Sequence, residues 1–422
     1  MATPSRARQL FGGAAGNLVE WYDWYAYSAF ALYFAPAFFP QGDKVAQALN
    51  TAAVFAVGFL MRPIGGWLLG IYADRKGRKA ALTLSVTMMC AGSLLIAVAP
   101  TYAQAGVLAP LLLLLARLVQ GLSVGGEYGA SATFMAEVAD ARRRGFLASF
   151  QYVTLVGGQL LALGLLIVLQ ANLSEPELNA WGWRVPFFVG ALCAVLVFWL
   201  RRSLVETEAF KAVTAEEHQG LMARLLAHPR ALWTVLALTA GGSTAFYTFT
   251  TYMQKYLVLS AGWSKPQATS VSALALLGYA ALQPAVGALS DRIGRRPLLI
   301  SFGVLGTLLT VPVMHAIGGA ADPVEGFVLI MAALAVLSCY TAISGVVKAE
   351  MFPANIRALG VGLPYGIGVA VFGGSAEYVA LAFKDAGLES GFFWYVAALC
   401  AVALVAAISL PDTKANSKIE TV

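Results

Sequence analysis

Two arginines stand inside long apolar runs of this chain, Arg62 in GFLMRPIGGWLLG (58–70) and Arg117 in ARLVQGLSVGGEYGASATFMAEV (116–138). An ionisable group in a hydrocarbon-spanning segment costs at least about 2.5 kcal/mol, so each needs a purpose or a partner. A guanidinium keeps its charge at any working pH and grips a carboxylate with two parallel N–H bonds, which suits a small organic anion. Acids lie in the same kind of run. Glu20, Asp23 and Tyr27 fall at i, i+3 and i+7, on one helical face. Glu127 follows Arg117 at a spacing of about 15 Å along a helix, too far to pair directly, and Glu377 sits in FGGSAEYVAL (372–381). Buried carboxylates can load and release a proton near neutral pH. Asp23, Glu20, Glu127 and Glu377 are therefore the candidates for proton coupling. Arginines for a carboxylate and acids for a proton together point to proton-coupled organic anion symport. The other reading, that Arg62 and Arg117 only neutralise Asp23, Glu20 or Glu127, stays open, and substrate can compete for the same arginine.

Hydrogen-bonding side chains form faces on other apolar runs. One carries Gln151, Thr154 and Gln159; another carries Ser243, Tyr247, Thr250, Thr251 and Gln254. With Tyr27, the candidates for contact with a carboxylate or keto oxygen are Gln151, Gln159, Tyr247 and Thr251, each equally able to bridge helices. Tyr340, Ser344 and Lys348 recur every four residues, and Lys348 lies two residues before Glu350. His315 and the cysteines Cys90, Cys193, Cys339 and Cys400 read as packing residues in apolar runs, without metal-ligand spacing.

The elements that hold these residues are set by composition. Hydrophobic residues make up 59% of 422 positions and charged residues 12%, against roughly 25% charged in a soluble domain. That much apolar surface calls for lipid as its solvent. A span takes about 20 apolar residues, and twelve are expected: 11–38, 46–72, 81–99, 108–136, 146–170, 184–200, 231–258, 266–289, 297–317, 325–349, 357–383 and 391–410. The first is too long for a cleaved leader. The polar stretch 201–230 reads as a linker between a first six-helix half, 1–200, and a second, 231–422. Gly121, Gly125 and Gly129 recur every four residues, which predicts close helix packing.

Twenty of the 28 lysines and arginines fall in the termini and in loops on one side, five (Lys44, Arg184, Lys255, Lys265, Lys384) on the other, and three, Arg62, Arg117 and Lys348, within spans. Both termini are therefore expected in the cytoplasm. This also explains the net charge of +6 without nucleic acid. The chain repeats itself: GIYADRKGRKAAL (70–82) matches GALSDRIGRRPLL (287–299), and Glu137 with Arg144 is echoed by Glu350 with Arg357. Two parallel six-span halves suit a transporter that rocks about a midplane site. Gly77 and Gly294 permit tight turns, and Asp74 and Asp291 can meet arginines and helix ends. Asp74, Arg78, Glu137, Arg144, Asp291, Arg295, Lys348, Glu350 and Arg357 are expected to form an inner gate. A topological role alone would need no acids.

The repeated G-x-x-x-D-R-x-G-R-[KR] pattern resembles the loop signature of the major facilitator superfamily. GNLVEWYDWYAYS (16–28), GFLMRPIGGWLLG, ARLVQGLSVGGEYGASATFMAEV, SFQYVTLVGGQLLAL (149–163) and WGWRVPF (181–187) resemble its metabolite:proton symporter branch. FYTFTTYMQKYLV (246–258), SGVVKAEMFPANIRALGVGL (344–363) and FGGSAEYVAL are similar to the alpha-ketoglutarate permeases within it. The resemblance runs from about Gly12 to Val396. It implies an all-α membrane protein of the major facilitator fold in a bacterial inner membrane, acting as a monomer. By the same resemblance the substrate is alpha-ketoglutarate, taken up with a proton as coupling ion and no cofactor. The residues themselves leave citrate, shikimate, proline or betaine open, and also a gradient-independent dicarboxylate facilitator or exchanger. Lys76 stands where such permeases lead one to expect histidine, which moves proton transfer out of that loop. An enzyme finds no nucleophile–base pair or metal cluster here, and a receptor no signalling domain; duplicated halves with latch motifs favour alternation over a channel.

Overall fold

In hydrocarbon no water serves the backbone, so each apolar run must close its own hydrogen bonds as a helix. The computed structural model describes residues 6–76, 78–125, 136, 142–202, 225–353 and 356–419, with the backbone alone at 6–17, 70, 73–76, 78, 79, 81, 82 and 196–202. Its first half comprises α1 (Arg6–Phe38), α2 (Lys44–Lys76), α3 (Arg78–Val98), α4 (Leu108–Val124), α5 (Arg144–Asn172) and α6 (Val185–Arg202). In the second, α7 runs as Pro229–Tyr247, a π-helical turn Thr248–Tyr252, and Met253–Leu259. Then come α8 (Lys265–Ile293), α9 (Arg296–Gly318) and α10, broken between Pro323–Thr341 and Ser344–Glu350. The chain continues as α11 (Arg357–Gly368, a π-helical turn Val369–Gly373, Ala376–Asp385) and α12 (Glu389–Ser409). These segments fall on the twelve expected spans. Among the described residues, seven stretches are long and apolar enough to cross a bilayer, and shorter apolar helices cover Thr83–Val98, Leu108–Val124 and Gly182–Val195. The end of the fourth span beyond residue 125 and most of the linker, 203–224, lie outside the described residues.

Local chemistry sets the helix ends. Ser264 caps α8 by accepting from the Gln267 amide, and Asp322 caps α10 by accepting from the Val324 and Glu325 amides. At the far end of α8, Gly294 adopts φ +94°, a conformation that favours glycine, and ends the helix at the repeated motif. Its counterpart Gly77 lies outside the described residues.

The π-helical turns were not legible as such in the sequence. In α7, Ser243, Thr244, Thr248 and Thr250 each donate a hydroxyl to the carbonyl four residues back. Such bonds compete with the helical ladder, and a π-turn is a common way to absorb the disturbance. It sits where α7 faces the other half.

The halves meet along two main crossings, α5 on α8 and α2 on α11. At the first, a Cβ on Gly145 would lie 2.2 Å from Ser290 Oγ, and one on Gly287 would lie 2.6 Å from the Gly145 carbonyl oxygen. Only glycines allow this approach.

Candidate functional site

Arg62 and Arg117 are brought together by α2 and α4. A Cβ on Gly121 would stand 2.1 Å from the Gly58 carbonyl oxygen, and one on Gly125 would stand 2.0 Å from that of Arg62. The two helices therefore run backbone to backbone through the arginine level, as the glycine spacing predicts; Gly129 lies outside the described residues. Aromatic rings of α1 and α2 cradle both guanidiniums. Arg62 Cζ lies 4.1 Å from the centroids of Trp24 and Phe59 and 5.1 Å from Trp21. Arg117 Cζ lies 3.9 Å from Trp24, 4.5 Å from Tyr27 and 5.2 Å from Phe55. Trp24 is shared by both. Desolvated cation–π contacts are worth about 2 kcal/mol or more each, enough to hold the charges in place without drawing on their N–H donors. Nε and Nη2 of both arginines are buried without a hydrogen-bond partner. That edge is the fork that takes a carboxylate bidentately.

The acids divide around this pair. Asp23 is 1% exposed; its Oδ1 accepts from Ser93 Oγ and its Oδ2 from Gln120 Nε2 at 2.6 Å. Gln120 Oε1 in turn accepts from Arg117 Nη1 at 2.9 Å, and Gln120 Nε2 also reaches Ser93 Oγ at 3.0 Å. One amide thus ties the carboxylate to the guanidinium. Glu20 is buried within the electrostatic reach of Arg62. Glu127 lies outside the described residues.

Tyr27 turns its ring to Arg117 and donates its hydroxyl to the Thr51 carbonyl at 3.0 Å. Tyr247 of α7 meets Phe59 edge-on at 5.2 Å, continuing the cradle of Arg62 into the second half. Gln159 donates to the Thr250 carbonyl at 2.9 Å, and its Oε1 is buried without a partner. Thr250 and Thr251 hydroxyls lie 3.3 Å apart. A cavity of about 10 Å³ between the halves is lined by Tyr25, Ser28, Gln159, Thr250, Thr251 and Gln254. It has room for about one water and none for a metabolite. Gln151 is buried on α5 outside this lining.

Away from the loop motifs, the halves are tied by charge. Lys255, counted with the outer-side charges although it falls at the end of the expected span 231–258, is fully buried in α7. Its Nζ lies 3.0 Å from both Glu377 oxygens, 3.0 Å from the Ser28 carbonyl and 2.6 Å from Ser28 Oγ. Sequence reasoning counted it as a topology charge, and its partner on α11 is too distant in sequence to have been paired with it. Nearby, Gln170 donates to Tyr33 and Thr269, and Lys265 pairs with Glu175 at 2.8 Å. Lys265 holds the Glu175 carboxyl below its ordinary range.

At the motif end, Asp291 of α8 accepts from the Gly145 and Phe146 amides at 2.8 and 2.9 Å, capping the positive N-terminus of α5 across the halves. It also pairs with Arg295 at 3.0 Å. Glu350 gathers Arg295 at 3.5 Å and Arg144 at 3.9 Å. The segment after α12 joins in: Thr413 donates to Glu350 at 2.6 Å, and Arg357 donates to the Lys418 carbonyl at 2.9 Å. Lys348 donates to Ser344 at 2.7 Å and Tyr340 at 3.2 Å, with its Nζ 4.3 Å from the Tyr365 ring centroid. Of the matching groups of the first half, Asp74 and Arg78 are described in backbone alone and Glu137 lies outside the described residues. Among the described residues, contacts thus join the halves at both ends. Among the described residues no group of His, Cys, Asp and Glu comes together to hold a metal.

Residues 11–225 match the family described as sugar (and other) transporter, and residues 254–421 match the major facilitator superfamily. The chain is 54% identical to an alpha-ketoglutarate permease of Escherichia coli, covering 97% of this chain and 94% of that one. It is 34% identical to a citrate-proton symporter of Klebsiella pneumoniae, covering 95% and 91%. A proline/betaine transporter of Escherichia coli is 29% identical over 96% of this chain and 83% of its own length. A D-xylose-proton symporter of solved structure superposes with a TM-score of 0.79 at 19% identity, covering 97% of this chain and 99% of that one.

Proposed function

The chain belongs to the major facilitator superfamily, and on that premise we propose that it takes up alpha-ketoglutarate with a proton across a bacterial inner membrane by alternating access. It is a multi-pass membrane transporter, not an enzyme. One observation carries the choice of substrate: two buried guanidiniums, each with its Nε/Nη2 edge unpartnered, match two carboxylates. We assign the donors for a keto oxygen to the Thr251 hydroxyl and the second Nε2 hydrogen of Gln159, with Tyr247 and Tyr27 as aromatic walls. The 54% identity to an alpha-ketoglutarate permease supports the same substrate.

Coupling follows from hydrogen-bond polarity. While Asp23 is ionised it only accepts, so Gln120 turns its NH₂ to Asp23 and its carbonyl to Arg117. A protonated Asp23 can donate on its Oδ2 side, which favours the reversed amide and turns an NH₂ toward Arg117. Arg117 then lacks its Gln120 acceptor and gains from a substrate carboxylate. Proton and anion thereby bind cooperatively. The proton is the coupling ion, with no further cofactor, and the protein works as a monomer in the bilayer without nucleic acid. Both termini face the cytoplasm on the charge distribution, which makes the motif end the inner gate, formed by Arg144, Asp291, Arg295, Glu350 and Arg357.

Ligand-induced thermal stabilisation of the purified protein tests the substrate. Alpha-ketoglutarate is expected to raise Tm, and more so at pH 5.5 than at pH 8, while shikimate, proline and betaine do not. Stabilisation by citrate alone, or by a zwitterion alone, would overturn the assignment.

A further inference from the structure

The Lys255–Glu377 pair belongs to the second half, yet its hydrogen bonds reach the first. Both α7 and α11 lie in the second half, whereas Ser28 is on α1. Two of the acceptors around Lys255 Nζ are the Ser28 carbonyl at 3.0 Å and the Ser28 hydroxyl at 2.6 Å; Glu377 supplies the rest. The Ser28 hydroxyl is itself directed to Glu377 Oε2 at 3.1 Å. Ser28 also lines the central cavity and follows Tyr27, whose ring carries Arg117. One turn of α1 therefore touches both the inner arginine site and this lysine.

Parting the halves at this end takes Ser28 away with α1. Lys255 keeps Glu377 but loses two oxygen acceptors at the mouth of the path. A buried ammonium stripped of acceptors is costly, and the group that restores them is favoured. A carboxylate brings two oxygens to the place from which Ser28 withdrew.

We propose that Lys255 is a third anion-receiving group, a capture subsite for a carboxylate of the incoming substrate, which Ser28 displaces as the halves close. Glu377 beside it repels the same anion and keeps the stay short. This deepens the dicarboxylate reading above and rests on it. Specificity at the mouth is then for small carboxylates as a class, and final selection falls to Arg62 and Arg117.

The test is exchange of labelled alpha-ketoglutarate in proteoliposomes of known orientation, with KM measured separately from each side. Lys255→Gln/Glu377→Gln replaces the ion pair by two amides that still bond each other and Ser28. It is expected to raise KM about tenfold from the outer side, as for loss of a charge-assisted bond, and to leave the inner KM within about twofold. Raised salt is expected to increase the outer KM of the natural protein but not of the variant. An unchanged outer KM, or an equal rise on both sides, would overturn the subsite and leave a packing role. Should the double variant fail to fold, Ser28→Ala decides. It removes only the displacing hydroxyl, so the outer KM should fall while turnover slows, whereas simple loosening would leave KM level or raise it. No saturable exchange by the natural protein would instead bring down the substrate assignment, and the subsite with it.

Discussion

Arg117 reaches Asp23 through one amide: Gln120 accepts from Arg117 Nη1 at 2.9 Å and donates to Asp23 Oδ2 at 2.6 Å. The residue proposed to hold substrate and the residue proposed to hold the proton are thus separated by a single amide, the group we propose reverses on protonation.

Gln120→Leu cuts that link without removing either charge. We expect alpha-ketoglutarate exchange at equal pH to persist and accumulation driven by a proton gradient to be lost. Asp23→Asn should behave likewise. Gradient-driven accumulation surviving in Asp23→Asn would move the proton to Glu20, Glu127 or Glu377.

Arg62→Lys and Arg117→Lys keep the charge and lose the fork. Each should weaken dicarboxylate binding at least about 30-fold, as when about 2 kcal/mol is lost from a buried charge pair. Isothermal titration on folded protein measures it. Near-natural affinity in both lysine variants would refute the two-fork site.

The inner gate depends on the close approach of α5 to α8. Gly145→Val inserts side-chain atoms where even a Cβ would lie 2.2 Å from Ser290 Oγ. Asp291→Asn removes the charge that caps α5, whose two bonds are each worth about 1.5–3 kcal/mol. Both variants should populate the inward-open state, read as faster labelling of a cysteine engineered at Ser149, which faces Gly287 across the crossing. Labelling at the natural rate in both would show that these contacts do not hold the gate.

Thr413 and the backbone of Lys418 fasten the segment after α12 to Glu350. Removing residues 411–422 takes one hydrogen bond from the Glu350 carboxylate and exposes it. The same cysteine should label faster, by about threefold to tenfold for the loss of roughly 1 kcal/mol. An unchanged rate would separate this segment from gating.

The central arginines were legible because charge in lipid is expensive and few such residues occur. Asp291 was legible because its motif repeats, and it does meet both an arginine and a helix end. Glycine spacing announced a close helix approach at α4, though not that α2 is the partner. Three-dimensional company was not legible. Trp21 and Trp24 stand in plain view near Asp23, but nothing in their spacing says that they wrap arginines of α2 and α4. Lys255, three residues from the end of the expected span 231–258, was counted with the outer-side charges. Its partners, Glu377 on α11 and Ser28 on α1, mark it as an interior residue. Periodicity reports one helix at a time, and these partners lie on different helices.

Uptake of labelled alpha-ketoglutarate into proteoliposomes, with and without an inward proton gradient and challenged by citrate, shikimate and proline, tests the central claim most directly. The account predicts accumulation above equilibrium only with the gradient, suppressed by unlabelled alpha-ketoglutarate and not by shikimate or proline. Saturable uptake indifferent to the gradient would contradict the coupling, and accumulation of another metabolite in its place would contradict the substrate.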